Sequence, residues 1–295
     1  MQGAFIVNKP AGFTSHDVVA RARRLCQERS IGHLGTLDPA ATGVLPLLVG
    51  RLTRLAQFFQ GRDKEYCGVV RFGFATDTYD AGGTPTSPPI SAPPERAALE
   101  AALARFRGRF EQTPPPYSAK KVAGVPAYKR ARRDEPLALP PVSVEIRELE
   151  LLSLEGDCLE FRAVCSSGTY MRSLAHDLGV ALGTGAHLLR LQRTRVGEFD
   201  LAHSRSLDEL GSLAAQGSLA TALLPPLQLL PEMPAVVAPK EAISRLLHGQ
   251  SANLPDYSTA PRIRVFAPSG ELLAIARRIA GTLFQPQIVL AAENQ

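Results

Sequence analysis

The four cysteines of this 295-residue chain, Cys26, Cys67, Cys158 and Cys165, include no C-x-x-C pair. That spacing argues against a zinc knuckle and against a disulfide-stapled secreted scaffold, and reduced thiols in a cytoplasm are the simplest reading. No run of about 18 apolar residues occurs, the length a membrane helix needs. The longest apolar-rich region, near 210–238, is broken by Gln216, Gln228, Glu232 and several prolines. The first apolar stretch stops at Asn8, Lys9 and Pro10, too short for a signal-peptide core. There is no internal repeat of fixed period, and no Gly-Lys-Ser/Thr follows the glycines near residue 32, which argues against a P-loop.

Hydrophobic residues make up 45% and charged residues 21% of the chain, a globular mix that excludes disorder throughout. The length suits one large domain or a large one with a small companion. Lys plus Arg number 33 against 28 Asp plus Glu, a net charge of +5 that permits a polyanionic partner without requiring one.

Residues 4–7 read as a strand, and Thr14-Ser15 offers a cap for a helix over 16–28, where Val18, Val19, Ala22, Leu25 and Cys26 recur at helical spacing. Residues 65–74 read as a strand and 82–94 as a loop, followed by a helix from Glu95 that Gly108 ends. Two alternating runs around Glu155-Gly156-Asp157 predict an antiparallel hairpin over 142–165. Helices are expected at 171–182, 186–192, 206–215 and 240–248, and a strand at 194–199. The proline-rich segment 223–239 reads as a linker to a compact β-rich module with strands at 262–267, 271–279 and 287–291. Strand runs outnumber a strict βαβ alternation, so the main domain is expected to be α+β.

Three segments can carry chemistry. Residues 32–50, GHLGTLDPAATGVLPLLVG, pack glycines and prolines around one acid, Asp38, and one imidazole, His33. Asp38-Pro39 is also a common helix cap, but Gly43 follows so soon that the helix would be one turn. A tightly folded loop that lets something large approach its backbone accounts better for the glycines. In residues 166–178, SSGTYMRSLAHDL, Tyr170 and Arg172 sit where a strand passes into a helix, and an arginine beside Asp38 would keep that carboxylate ionised. Residues 119–133, AKKVAGVPAYKRARR, hold six bases (Lys120, Lys121, Lys129, Arg130, Arg132, Arg133), no acid, and Tyr128. Such a run is either a solvated face or a mobile basic finger able to lie along a phosphate backbone.

The segments NKPAGFTS (8–15), GHLGTLDPAATGVLP (32–46), YSAKKVAGVPAYKRAR (117–132), SSGTYMRSLAHDLG (166–179) and GAHLLRLQRTRVGEF (185–199) resemble, in order and spacing, the bacterial tRNA pseudouridine-55 synthases, stand-alone relatives of the box H/ACA pseudouridylase. The resemblance covers about residues 4–230. It implies isomerisation of one T-loop uridine of tRNA without a cofactor, in the cytoplasm, by a monomer with no obligatory protein partner. The fold implied is α+β, with a mixed, mostly antiparallel sheet around a central cleft over 1–230, a basic finger at about 117–135, and a small β-rich PUA-like RNA-binding domain over 236–295. By residue it places the catalytic aspartate at Asp38 and the histidine that enters the RNA loop at His33. Tyr66 falls on the tyrosine that packs on the target base and takes part in catalysis. Tyr170 and Arg172 fall on the active-site tyrosine and the partner of the aspartate, and Leu191 on a substrate-contacting leucine. Lys9, Lys120, Lys129, Arg130, Arg132 and Arg133 join the substrate-binding set. Asn8 stands where an aspartate is common and Ser167 where a lysine is common, the latter removing one phosphate contact.

The chemistry fits these residue types. Pseudouridine forms when the N1–C1′ bond is cleaved, the uracil rotates and rejoins through C5, and the C5 proton leaves. An ionised carboxylate can act as nucleophile or stabilise positive charge at C1′, with no redox or metal step. A flipped uridine leaves a gap that an imidazole can fill, while aromatic rings stack on the extruded base. Two rivals stay open. One is a non-catalytic RNA-binding or chaperone protein, for which an acid at the point of closest approach to a polyanion has no use. The other is a nucleoside hydrolase, which needs a second acid near Asp38, with Asp77 and Asp80 of the TDTYD stretch as candidates.

Overall fold

The computed structural model describes residues 1–90, 94–117, 121–122, 125–126 and 139–291. Strand β1 (Gly3–Lys9) leads to helix α1 (Ser15–Cys26). Thr14 and Asp17 form a reciprocal capping box there, each side chain accepting from the other's backbone N–H, which satisfies two orphan donors and fixes where the helix starts. Then come β2 (Ile31–His33), β3 (Thr42–Val49), a 3₁₀ segment (Gly50–Phe58), β4 (Lys64–Phe72), α2 (Arg96–Ala104), β5 (Gly108–Gln112) and the short pair β6 (Lys121–Val122) and β7 (Val125–Pro126). The hairpin β8 (Val142–Glu155) and β9 (Cys158–Cys165) turns at the expected Gly156, and α3 (Met171–Leu182), β10 (Ala186–Val196), β11 (Phe199–Asp200) and α4 (Leu207–Ala215) follow.

Among the described residues these strands form a nine-stranded sheet in the order β1-β3-β10-β4-β9-β8-β5, with β2 on β3 and β11 on β10. β3 and β10 pair in parallel, while the other neighbours are antiparallel. The expected α+β class and mixed, mostly antiparallel sheet are what the chain adopts. The register lines up one row across five strands: Lys9 beside Gly43, Gly43 beside Arg193, Arg193 beside Tyr66, and Tyr66 beside Ala163. Directly paired residues project to the same face, so this row gathers Lys9, Arg193 and Tyr66 under one surface of the sheet. Gly43 is required in it: its φ is +101°, and a Cβ there would lie 2.2 Å from the Arg193 carbonyl oxygen.

A second sheet, in the order β12-β14-β15-β16-β13, is built from β12 (Ala235–Val237), β13 (Ala252–Asn253), β14 (Arg262–Phe266), β15 (Leu272–Ala280) and β16 (Leu283–Val289), with α5 (Lys240–Leu247) against it. This unit shares a core with the first sheet, where Ile6, Val44, Leu48 and Leu52 meet Phe266, Leu272, Ile275 and Ile288. Shared burial answers the difficulty of stabilising so small a module alone. The side chain of Arg51 donates to the Leu290 carbonyl at 3.4 Å and that of Arg54 to the Val289 carbonyl.

Four expectations are corrected. Residues 186–192 are the start of β10, not a helix. Of 32–50, only the stretch between β2 and β3 is loop, since Thr42–Val49 is a buried strand. The proposed linker is seated rather than loose: Leu229 and Leu230 are buried, and Arg264 donates to the carbonyls of Met233 (2.8 Å) and Leu229 (2.9 Å). Helix α2 ends at Ala104, and Gly108 opens β5.

Candidate active site

The loop between β2 and β3 is tied down along its length. Ser15 accepts the Leu37 N–H at 2.8 Å and donates its hydroxyl to the Leu37 carbonyl at 3.2 Å. The Arg193 guanidinium, fully buried, donates to the carbonyls of Gly35 (3.0 Å), Thr36 (3.3 Å) and Val44 (2.8 Å). From the other side Lys9 Nζ donates to the carbonyls of Pro39 (3.1 Å), Pro10 (2.9 Å) and Phe13 (2.7 Å). Residues 38–41 close a tight turn in which the Ala41 N–H reaches the Asp38 carbonyl at 3.1 Å. Asp38 therefore projects from a backbone whose carbonyls are held by buried cations, an arrangement that costs no reorganisation when charge changes nearby.

Arg172, in the first turn of α3, meets Asp38 as a fork: Nε donates to Oδ2 at 2.8 Å and Nη2 to Oδ1 at 3.1 Å. The arginine is 6% exposed, and its remaining donors reach the carbonyls of Thr78 (3.1 Å) and Tyr117 (2.9 Å). Asp80 Oδ2 lies 3.7 Å from Nη1. A two-point pair with a buried guanidinium fixes both the position and the rotation of the carboxylate. The start of α3 is itself positioned by Gln112, whose side-chain amide accepts the Tyr170 N–H at 2.8 Å and donates to the Tyr170 carbonyl at 3.0 Å.

A cleft of about 580 Å³ opens over this pair, within the usual range for a small-molecule or nucleotide site. Its lining includes His33, Asp38, Lys64, Tyr66, Tyr170, Arg172 and Leu191. Burial pushes the Tyr66 phenol up, so the ring enters the cleft un-ionised. Burial, with Arg193 nearby, pushes the His33 imidazole below its usual value, and its Nδ1 is buried without a hydrogen-bond partner among the described residues. Burial lowers Lys64 as well, and its ammonium donates to the Arg62 carbonyl at 3.0 Å. A second cleft of about 400 Å³ adjoins the far side of Asp38 and Arg172, lined by Cys67, Asp80, Arg190 and Gln192 among others.

Residues 23–171 match the model of the TruB family pseudouridylate synthase N-terminal domain, and residues 172–241 that of the tRNA pseudouridylate synthase B C-terminal domain. The chain is 45% identical to the tRNA pseudouridine synthase B of Solibacter usitatus, over 98% of this chain and 100% of that protein. It is 40% identical to the protein of the same name from Burkholderia mallei, over 98% and 97%. The chain belongs to the TruB family of pseudouridylate synthases. In fold it resembles the structure of an H/ACA RNP bound to a substrate RNA containing 2′-deoxyuridine, with a TM-score of 0.72 and 23% identity over 99% of this chain and 86% of that one.

Of the residues singled out in the sequence, Asp38, Arg172, His33, Tyr66, Tyr170 and Leu191 line this one TruB-family cleft. Lys9, expected in the substrate-binding set, is fully buried and its ammonium is occupied by three carbonyls, so in this structure it holds the loop. Burial brings it down to about 8, with Asp38 acting against that shift and Arg193 adding to it. Lys120, Lys129, Arg130, Arg132 and Arg133 lie outside the described residues. The two acids that the hydrolase reading needs both face the Arg172 guanidinium, Asp38 at 2.8 Å and Asp80 at 3.7 Å, so each carboxylate has a cationic partner. Two residues escaped the sequence reading. Arg193 and Lys64 lie on strands, where a basic residue normally faces solvent, and only the register shows them turned inward. Asp80, a candidate acid in the sequence, comes within 3.7 Å of Arg172 Nη1 through a contact remote in sequence.

Proposed function

We propose that the protein converts uridine 55 in the T-loop of tRNA into pseudouridine, with Asp38 as the catalytic carboxylate. The observation that carries this reading is the fork between Asp38 and a buried Arg172 at the floor of a nucleotide-sized cleft. The target uridine leaves its loop and enters the cleft, His33 fills the gap it leaves, and the base lies against Tyr66, Tyr170 and Leu191. A neutral imidazole suits that task, since it enters a base stack without a charge to desolvate. The Asp38 carboxylate, aligned by Arg172, acts at the sugar as the N1–C1′ bond breaks. The freed uracil turns within the cleft, C5 bonds to C1′, and the C5 proton passes to a base while N1 gains one, so the net change is an isomerisation. An un-ionised Tyr66 offers the base a flat apolar face with a hydroxyl able to relay a proton through water.

The same reading assigns residues 1–230 to catalysis and 236–295 to a PUA-like unit that contacts RNA, with the basic finger at about 117–135 along the tRNA backbone. The reading takes the protein to act as a monomer without an obligatory protein partner, in the cytoplasm where a tRNA substrate would be met. Incubation with unmodified tRNA transcript, followed by carbodiimide-dependent reverse-transcription stops, tests it. A stop at position 55 that needs the protein supports the reading. Stops at another uridine, or none, overturn the position or the activity.

A further inference from the structure

Beside the Arg172 fork lies a contact that serves no role described so far. Tyr79 adopts φ +65°, a left-handed conformation that a bulky residue takes only when its surroundings force it. Its ring stacks on His176, centroids 3.8 Å apart and planes within 8°. His176 lies one turn beyond Arg172 on α3, so both side chains leave the same helix face. Its Nδ1 is buried with no hydrogen-bond partner among the described residues. Two unfavourable features, a strained backbone and an unpaired buried nitrogen, thus coincide at one contact, and such features persist where the surrounding structure uses them.

The neighbours of Tyr79 show the use. The Thr78 carbonyl accepts from Arg172 Nη1 at 3.1 Å, and the Asp80 carboxylate is 3.7 Å from the same nitrogen. The Tyr79 carbonyl accepts the Leu188 N–H at 2.9 Å, and the Thr76 hydroxyl donates to the Asp80 carbonyl at 2.7 Å, so the turn is also fastened to β10. The flanking residues therefore present their oxygens to the arginine because the backbone reverses at Tyr79, and the stack pegs that reversal to the helix that carries the arginine.

We propose that the Tyr79–His176 stack is a positioning clasp for Arg172, setting the turn at 78–80 against the guanidinium so that its fork stays aligned on Asp38. Neither residue touches substrate; both act through Arg172. The inference rests on the reading of Asp38 and Arg172 as the catalytic pair.

The test is single-turnover pseudouridine formation at saturating tRNA, with tRNA affinity measured in parallel, for His176→Ala, His176→Phe, Tyr79→Gly and the double variant Tyr79→Gly/His176→Ala. His176→Ala is expected to slow the reaction about tenfold with affinity within about twofold, because alignment is lost and binding is not. His176→Phe, which keeps a flat ring, is expected to stay near the parent rate. Tyr79→Gly relieves the backbone and so keeps the fold, yet should be as slow as His176→Ala. The double variant should be no slower than either single one, since one clasp can be lost only once. A parent-like rate for His176→Ala, equal slowing by His176→Phe, or additive losses in the double variant overturns the clasp. Asp38→Asn in the same assay separates the two readings: its activity must vanish even where His176→Ala is fully active, and an active Asp38→Asn overturns the catalytic pair instead.

Discussion

Lys9 and Arg193 grip the loop that carries Asp38 from opposite sides, Lys9 at the Pro39 carbonyl and Arg193 at those of Gly35 and Thr36. The sheet register puts both in one row with only Gly43 between them, and Gly43 has no side chain to keep them apart from the loop. Two buried cations so close disfavour each other. Asp38 counters this on the Lys9 side, since its charge favours the ammonium that Arg193 disfavours. The carboxylate assigned to catalysis is thereby also part of what lets its own loop be held by positive charge.

Lys9→Met should therefore cost both stability and rate. It leaves up to three inward carbonyls without a donor, at about 1–3 kcal/mol for each that no water reaches. Urea unfolding is expected to show a loss of about 3 kcal/mol, within that range. Turnover should fall more steeply than tRNA affinity, because the side chain is buried beneath the cleft floor. A stability unchanged from the parent would show that the carbonyls find other partners.

Asp38→Asn keeps the shape of the side chain and removes the charge. Turnover should drop by at least about a thousandfold while tRNA affinity stays within about tenfold, the pattern of an interaction made only in the transition state. Turnover within tenfold of the parent removes Asp38 from its role.

Arg172→Leu leaves Asp38 without its fork and also abandons the Thr78 and Tyr117 carbonyls. Activity is expected to fall by orders of magnitude, and Arg172→Lys should rescue it poorly, because an ammonium cannot bind both carboxylate oxygens in a plane. Steady-state rates of the two variants at saturating tRNA decide this, and full activity in Arg172→Leu rules out the ion pair as a catalytic requirement.

The parts of this site legible in the sequence are those set by local chemistry. The Asp38-Pro39 turn, the cap at Thr14, the hairpin at Gly156 and the helix that begins at Met171 each follow from a few adjacent residues. The strand β10 was not legible. AHLLRLQ has leucines compatible with helical spacing and residues that favour helix, and only its place between β3 and β4 turns it into a strand. The inward turn of Lys9 and Arg193 was hidden for the same reason, since the partners of each are fixed by sheet register. Leu229 and Leu230 sat in a proline-rich stretch that reads as a linker until the second sheet is packed beside it.

Asp177, next to His176 on α3, is partly buried, and desolvation raises its carboxyl from the usual 3.8 to about 6. In the folded state it thus binds a proton more tightly than in the unfolded chain, so its contribution to stability falls as pH rises from about 4 to 6 and stays unfavourable above that. Asp177→Asn should stabilise the protein at pH 7.5 by about 1 kcal/mol, a figure reduced because solvent still reaches the group. The gain should shrink as pH falls through 6. Parallel denaturant melts of parent and variant at pH 7.5 and pH 5 check it, and a gain independent of pH contradicts the assignment.

The basic finger separates affinity from chemistry. Its cations lie far in sequence from Asp38. If the finger follows the tRNA backbone, each phosphate contact releases condensed counterions, and the logarithm of the binding constant falls steeply against the logarithm of salt concentration. Replacing Lys129, Arg130, Arg132 and Arg133 together by glutamine should flatten that slope by roughly 0.7 to 0.9 for every contact actually made. Turnover at saturating tRNA should fall much less than affinity, since removing a contact made equally in ground and transition states weakens binding without slowing the bound complex. The loss should also be uniform across tRNA sequences, because phosphates carry no base information. An unchanged salt slope in the quadruple variant would make the run a solvated face and move the RNA path elsewhere, with Lys64 and Arg190, which line the two clefts, the next residues to neutralise.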